Sequence, residues 1–184
     1  MQVGLVERAQ LGDRDAFDAL VTASIDRSFA IAYRILRDAG RAQDATQAAY
    51  LSAWRDLPSL REPERFDAWL RRLVVRACYA EADRERRWAA GVRLIPADTA
   101  TVADTATALA DSDELERAFR RLKPDERAVL VLHHYLDLPD AEAAEVLGIP
   151  VGTMKSRLNR ATAALRSALE AEERRPTYAS KVTR

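Results

Sequence analysis

The sequence predicts an all-α protein made of two small helical domains joined by a flexible linker. Three observations carry this expectation. Runs of Val, Ile and Thr are almost absent, while alanine and arginine abound; lysine occurs only at 123, 155 and 181, so 26 of the 29 basic residues are arginine. Such a composition favours helix over strand. Apolar residues recur three and four apart rather than alternating, which is the spacing of a helix with one buried face. That spacing is lost between Ile95 and Ser112, where Ala, Thr and Asp dominate.

The first block opens with Asp13 and Asp15 as cap candidates. The stripe Phe17, Leu20, Val21, Ser24, Ser28, Ile31 and Ile35 follows. A second stripe, Ile25, Phe29, Ala32 and Leu36, widens the apolar face and predicts a central, well-buried helix that Gly40 ends. The next helix spans about 42–57, with Thr46, Ala49, Tyr50, Ala53, Trp54 and Leu57 inward, and Pro58 stops it. The loop from Leu57 to Arg65 holds two prolines. A third helix starts near Phe66, with Trp69, Leu70, Leu73, Ala77 and Ala80 inward.

From Leu94 to Glu116 there are six acids and no base. A segment of this kind has too little apolar surface to offset the entropy of ordering it, so a flexible linker is expected. The second block starts with a short helix carrying Leu115, Ala118, Phe119 and Leu122. Pro124, Asp125 and Glu126 suit the first turn of another. Pro139 and Asp140 begin a short helix through Leu147, and Gly148-Ile149-Pro150 forms a turn. The last helix runs from about Val151, with Met154, Leu158, Ala161, Leu165 and Leu169 buried. The domains are accordingly placed at 13–90 and 113–172, the linker at 91–112 and a tail at 173–184.

Two helices around a glycine turn, the second longer and basic, form the helix-turn-helix pattern. The last helix turns Thr153, Ser156, Arg157 and Arg160 to one side, flanked by Lys155 and Asn159, and from Val151 to Leu169 it carries four bases and no acid. Short donors near a helix start, with arginines behind, suit base edges and phosphates in a major groove. On the third helix Arg72, Arg76, Tyr79 and Arg87 share a side with Asp83; bases around an aromatic suit a single strand, and the acids Glu81, Asp83 and Glu85 weigh toward a solvated face.

Other functions find no support. Lone Cys78 forms no internal disulfide and reads as a small buried hydrophobe. His133 and His134 read as packing residues, and no metal or cofactor site is expected. There is no glycine-rich phosphate loop and no paired nucleophile and base, so the chain is not expected to be an enzyme. No run of about 20 apolar residues and no secretory leader is present.

The strings 125-DERAVLVL-132, 139-PDAEAAEVLGIP-150 and 152-GTMKSRLNRA-161 resemble region 4 of bacterial RNA polymerase sigma factors, most closely the small extracytoplasmic-function (ECF) group that keeps only regions 2 and 4. Asp44-Ala45-Thr46-Gln47 with Ala53-Trp54 resembles region 2.2, and Phe66-Asp67-Ala68-Trp69-Leu70 the start of the helix covering regions 2.3 and 2.4. The resemblance spans about 13–169. It implies a transcription initiation factor, cytoplasmic, whose partners are core RNA polymerase (clamp coiled coil and flap), promoter DNA and an anti-sigma factor, without membrane insertion. It assigns minus-thirty-five contacts to Thr153, Lys155, Ser156, Arg157, Asn159 and Arg160. Minus-ten contacts fall to Ser59, Arg61, Arg65, Arg72, Arg76, Tyr79 and Arg87. Docking on polymerase falls to Asp44, Gln47, Ala48, Leu51 and Arg55, the face of helix 42–57 left over by its core stripe. The chain departs from the family pattern at Ala48, Arg76 and Ala80. Two other readings remain open on the residues alone: a helix-turn-helix regulator acting without polymerase, and a helical interaction protein whose helix-turn-helix does not bind DNA.

Overall fold

The computed structural model describes residues 2–92 and 110–173, and among them there are helices and no strands. The expected acidic linker falls largely outside these residues, as does the tail.

A helix that the sequence reading passed over comes first. α1 spans Gln2–Gln10 and buries Val6 and Ala9 against α2. Its short amphipathic face has only two buried positions, too few to register as a period. α2, Arg14–Leu36, is capped by Asp13, whose carboxylate accepts from the Ala16 amide at 3.1 Å. That bond, reinforced by Arg8, holds the Asp13 carboxyl below its ordinary pKa. Gly40 does not end α2. Arg37 does, in the left-handed region at φ 59°, donating its amide to the Tyr33 carbonyl. Asp38 then caps α3, Ala39–Asp56, by accepting from the Arg41 amide at 2.8 Å, which places Gly40 in the first turn of the new helix. Ser24 and Ser28 sit in the apolar stripe of α2 because each hydrogen-bonds the Tyr50 hydroxyl of α3, at 2.7 and 3.0 Å.

Two 3₁₀ turns, Leu57–Ser59 and Pro63–Arg65, lead into α4, Phe66–Val92. Its inward face is Phe66, Leu70, Val74, Val75, Cys78 and Ala82; Ala80, expected inward, is exposed.

In the second block α5 spans Ala110–Arg121 and α6 Pro124–Leu130. Pro124 occupies the first turn of α6, where its missing N–H costs nothing, and Glu126 accepts from the Lys123 amide at 2.8 Å. The helix then widens into a single π turn, Val131–Tyr135, carrying both histidines. α7, Asp140–Leu147, and α8, Val151–Glu173, are joined through Gly148 at φ 67°, a backbone conformation that suits glycine. α8 buries Met154, Ala161 and Ala168. Near its end the buried Glu172 is held by Arg117 at 2.9 Å and by Arg121, both from α5.

The two blocks are not separate bodies. Ile31, Ile35, Val74, Val75 and Cys78 of the first share one core with Val129, Leu132, Val146 and Met154 of the second. Around it Arg34 lies over the Tyr135 ring, 3.7 Å from its centroid, and Arg37 pairs with Glu116. The reason for the shared core is apolar area: α4 has one inward stripe, and α6 and α7 cover the part of it that α2 and α3 leave open.

Candidate polymerase and nucleic-acid interfaces

Two helices of the first block part to leave an apolar groove. It has a volume of about 790 Å³ and lies between α2 and α3. Phe17, Val21, Ile25, Phe29, Leu51 and Trp54 form its apolar lining. The second stripe of α2 was expected to be buried. Its Ala32 and Leu36 are, but Ile25 and Phe29 are 41% and 37% exposed. Trp54, expected inward on α3, is 39% exposed and meets Phe17 edge-on at 4.8 Å. Helical spacing shows that a side chain belongs to an apolar stripe; it does not show whether a neighbouring helix covers that turn. An uncovered groove of large apolar side chains marks a place for a partner helix.

The predicted docking residues divide around this groove. Gln47 and Leu51 line it, and Leu51 is 66% exposed. Ala48 is exposed beside them, while Asp44 turns toward Arg84 of α4 at 3.6 Å and Arg55 pairs with its neighbour Asp56 at 3.0 Å. Of the α3 residues that line the groove, the expected docking set holds Gln47 and Leu51, and it holds none from α2. The signal was present: two adjacent apolar stripes on α2 are more than one core needs.

The predicted duplex-reading residues all lie on α8 immediately after the Gly148 turn. Lys155, Ser156, Asn159 and Arg160 are exposed, and Thr153 and Arg157 are half-buried. The Ser156 hydroxyl donates to the Thr153 carbonyl at 3.0 Å, and Arg160 Nε to the Ser156 carbonyl at 3.3 Å. Their remaining donors face outward, beside a helix N-terminus that favours anions.

The predicted minus-ten residues are scattered by contrast. Ser59 and Arg61 are exposed in the loop, Ser59 donating to the Asp56 carbonyl at 2.6 Å. Arg76 and Arg87 are exposed along α4. Arg65 pairs with Glu145 of α7, and Arg72 reaches to Gly148, where an added Cβ would lie 3.4 Å from its guanidinium. Tyr79 is half-buried against the shared core, and its hydroxyl is buried without a hydrogen-bond partner among the described residues. Burial pushes that hydroxyl's pKa up to about 12, partly offset by the nearby Arg157 guanidinium. The second block therefore covers the middle of this face.

Cys78 is buried as expected, and burial raises its thiol to about 12, which keeps it protonated and unreactive. His133 Nδ1 lies 3.4 Å from an Asp140 oxygen. No cluster of three metal-ligating side chains occurs among the described residues, and no described helix is long and apolar enough to cross a membrane.

Known proteins share this arrangement. Residues 20–88 match the family model for Sigma-70 region 2, and residues 112–165 that for Sigma-70, region 4. The chain is 33% identical to the RNA polymerase sigma-H factor of Pseudomonas aeruginosa, covering 90% of this chain and 92% of that protein. It is 36% identical to the ECF RNA polymerase sigma factor SigM of Mycobacterium tuberculosis, over 84% and 77% of the two chains. Among solved structures, CnrH in complex with the cytosolic domain of CnrY superposes with a TM-score of 0.63 at 25% identity, covering 92% of this chain and 97% of that one. The sigma factor RpoE of Bartonella quintana, in complex with the anti-sigma factor NepR, shares the fold with a TM-score of 0.66 at 21% identity, over 84% and 96%.

Proposed function

The chain belongs to the sigma-70 family of RNA polymerase sigma factors, in its ECF group, and from that membership we propose how its surfaces divide the work of promoter-specific initiation. It binds core RNA polymerase and directs it to promoters. It confers specificity on the polymerase and catalyses nothing itself, and it works in the cytoplasm, where that polymerase acts.

The groove between α2 and α3 takes the clamp coiled coil. Ile25, Phe29, Leu51 and Trp54 supply the apolar contact, and Gln47 fixes the register at its edge. α8 enters the major groove of the minus-thirty-five element. Arg157 and Arg160 have the bidentate geometry that guanine and phosphate accept, and Thr153, Lys155, Ser156 and Asn159 fill the spaces between them. The loop at 57–65 and the exposed side of α4 handle the minus-ten strand through Ser59, Arg61, Arg65, Arg72, Arg76, Tyr79 and Arg87. Use of Arg72 and Tyr79 requires the second block to lift off α4, because both side chains now face it.

A separate protein inhibitor fits the same surfaces. CnrH is held by the cytosolic domain of CnrY, and an amphipathic helix laid in the α2–α3 groove of this chain excludes the clamp by simple competition.

The observation that carries this reading is an uncovered apolar groove on one block together with an acid-free basic helix face on the other. A regulator acting without polymerase has use for the second feature alone. The test is gel filtration with core polymerase followed by run-off transcription. Co-elution and promoter-dependent transcripts are expected; DNA binding without co-elution overturns the reading.

A further inference from the structure

Where the two blocks meet, α2, α3 and α4 on one side and α5 and α6 on the other border a half-open cavity of about 230 Å³. That is smaller than sites for drug-sized ligands and of a size for a small ion with its water. Four arginines and one carboxylate stand in its wall: Arg37, Arg41, Arg120 and Arg127, with Glu85. Three have carboxylate partners. Arg37 pairs with Glu116, Arg120 with the same Glu116 at 3.2 Å, and Arg41 with Glu85 and with Asp38 at 3.5 Å.

Arg127 differs. It is only 7% exposed, and no carboxylate lies within ion-pair distance of it among the described residues. Among the described residues its side chain makes one hydrogen bond, a long one from Nη1 to the Arg120 carbonyl at 3.5 Å, and its Nε is buried with no partner there. The adjacent Glu126 is occupied in capping α6 through the Lys123 amide. Burial and the nearby Arg37 and Arg41 lower the Arg127 pKa to about 10, which still leaves it charged at neutral pH. A buried cation without a counter-charge is strongly unfavourable, more so beside other cations.

We propose that this cavity binds a phosphate-class oxyanion, held by Arg127 with Arg37, Arg41 and Arg120 across the junction of the two blocks. Planar guanidiniums match tetrahedral oxyanions through paired N–H donors, which chloride cannot use. Both blocks contribute to the wall: Arg37 and Arg41 come from the first, Arg120 and Arg127 from the second. A bound anion therefore favours the packed arrangement over any in which the blocks part, and so opposes exposure of Arg72 and Tyr79.

The test uses the full chain and thermal unfolding at constant ionic strength, with chloride replaced by inorganic phosphate, inorganic diphosphate or a nucleoside diphosphate. Phosphate about ten-fold above its dissociation constant is expected to raise Tm by about 4 °C over chloride. A larger shift with diphosphate or the nucleotide assigns the phosphate to a larger ligand; equal shifts assign it to the free ion. Arg127→Leu removes the response without lowering Tm in chloride, because it deletes the unpaired charge. Arg120→Gln, on a half-exposed part of the wall, weakens phosphate binding about ten-fold and serves if Arg127→Leu does not fold. The double variant Arg157→Ala, Arg160→Ala keeps the response. The proposal fails if none of the three probes exceeds chloride, if the response survives Arg127→Leu and Arg120→Gln, or if it disappears with Arg157 and Arg160.

Discussion

Arg65, in the turn before α4, forms an ion pair with Glu145, on the first helix of the helix-turn-helix 80 residues further along the chain. A residue assigned to the promoter strand is thus held by the domain assigned to the promoter duplex. Both side chains are half exposed, so the pair acts as a light latch and not as a weld.

The first prediction concerns that latch. A double-mutant cycle with Arg65→Ala and Glu145→Ala should give a coupling energy below about 1 kcal/mol, shrinking with salt. A coupling of several kcal/mol in urea unfolding would mean that the pair, and not the shared apolar core, holds the blocks together.

The second concerns the groove. Ile25→Arg with Leu51→Arg places two charges where the apolar partner must sit, while both positions are exposed enough to leave the fold intact. Loss of co-elution with core polymerase is expected, with the circular dichroism spectrum unchanged. Wild-type co-elution of the double variant would place docking elsewhere.

The third concerns α8. Arg157→Ala in the holoenzyme should weaken binding to a promoter duplex by about 1–3 kcal/mol, the range of one good base contact. Filter binding across a set of minus-thirty-five variants checks it. A uniform loss over all sequences would assign Arg157 to phosphate; no loss would remove it from the interface.

The fourth concerns alkaline pH. Cys78 and Tyr79 are neighbours on α4, and burial raises both from ordinary values of 9.0 and 10.0 to about 12. Between those values the unfolded chain loses two protons that the folded chain keeps. Their contribution to stability is therefore complete below about pH 9 and is lost as pH rises toward 12. Urea midpoints should fall between about pH 8 and about pH 11, with a shallower fall in Tyr79→Phe. That variant should also be more stable at neutral pH by about 1 kcal/mol, since it deletes a buried hydroxyl with no partner. A midpoint independent of pH over this span would show that the two groups titrate normally.

How much of this was legible in the sequence follows from the range of each interaction. Caps and turns act within a few residues: Asp13, Pro124, Pro139 and Gly148 stand where the sequence reading put them. The end of α2 was misread by three residues. A glycine is a good stop signal, yet Asp38 capping the next helix is stronger and forces Arg37 into the left-handed region. α8 was legible as a helix after a turn because its charge, spacing and turn all lie within some twenty residues. The residues assigned to the minus-ten strand formed a list in the sequence and not a surface, since α7 covers part of them.

The sequence by itself determined the helices after α1, their order, the helix-turn-helix and, through the resemblance of its strings, the sigma family. Each rests on local spacing or a contiguous motif. Only the tertiary structure decided which apolar stripe stays open. Ile31 and Ile35 meet the second block, while Ile25 and Phe29, six residues before each of them, stay part-exposed along the groove. Periodicity records that a face is apolar, but cover comes from a helix that may lie 100 residues away. The same limit applies to charge. Arg127 is one of 26 arginines in the sequence, and nothing local distinguishes it. Packing alone removes its water and leaves it without a carboxylate, and only a buried charge without a partner calls for one from outside.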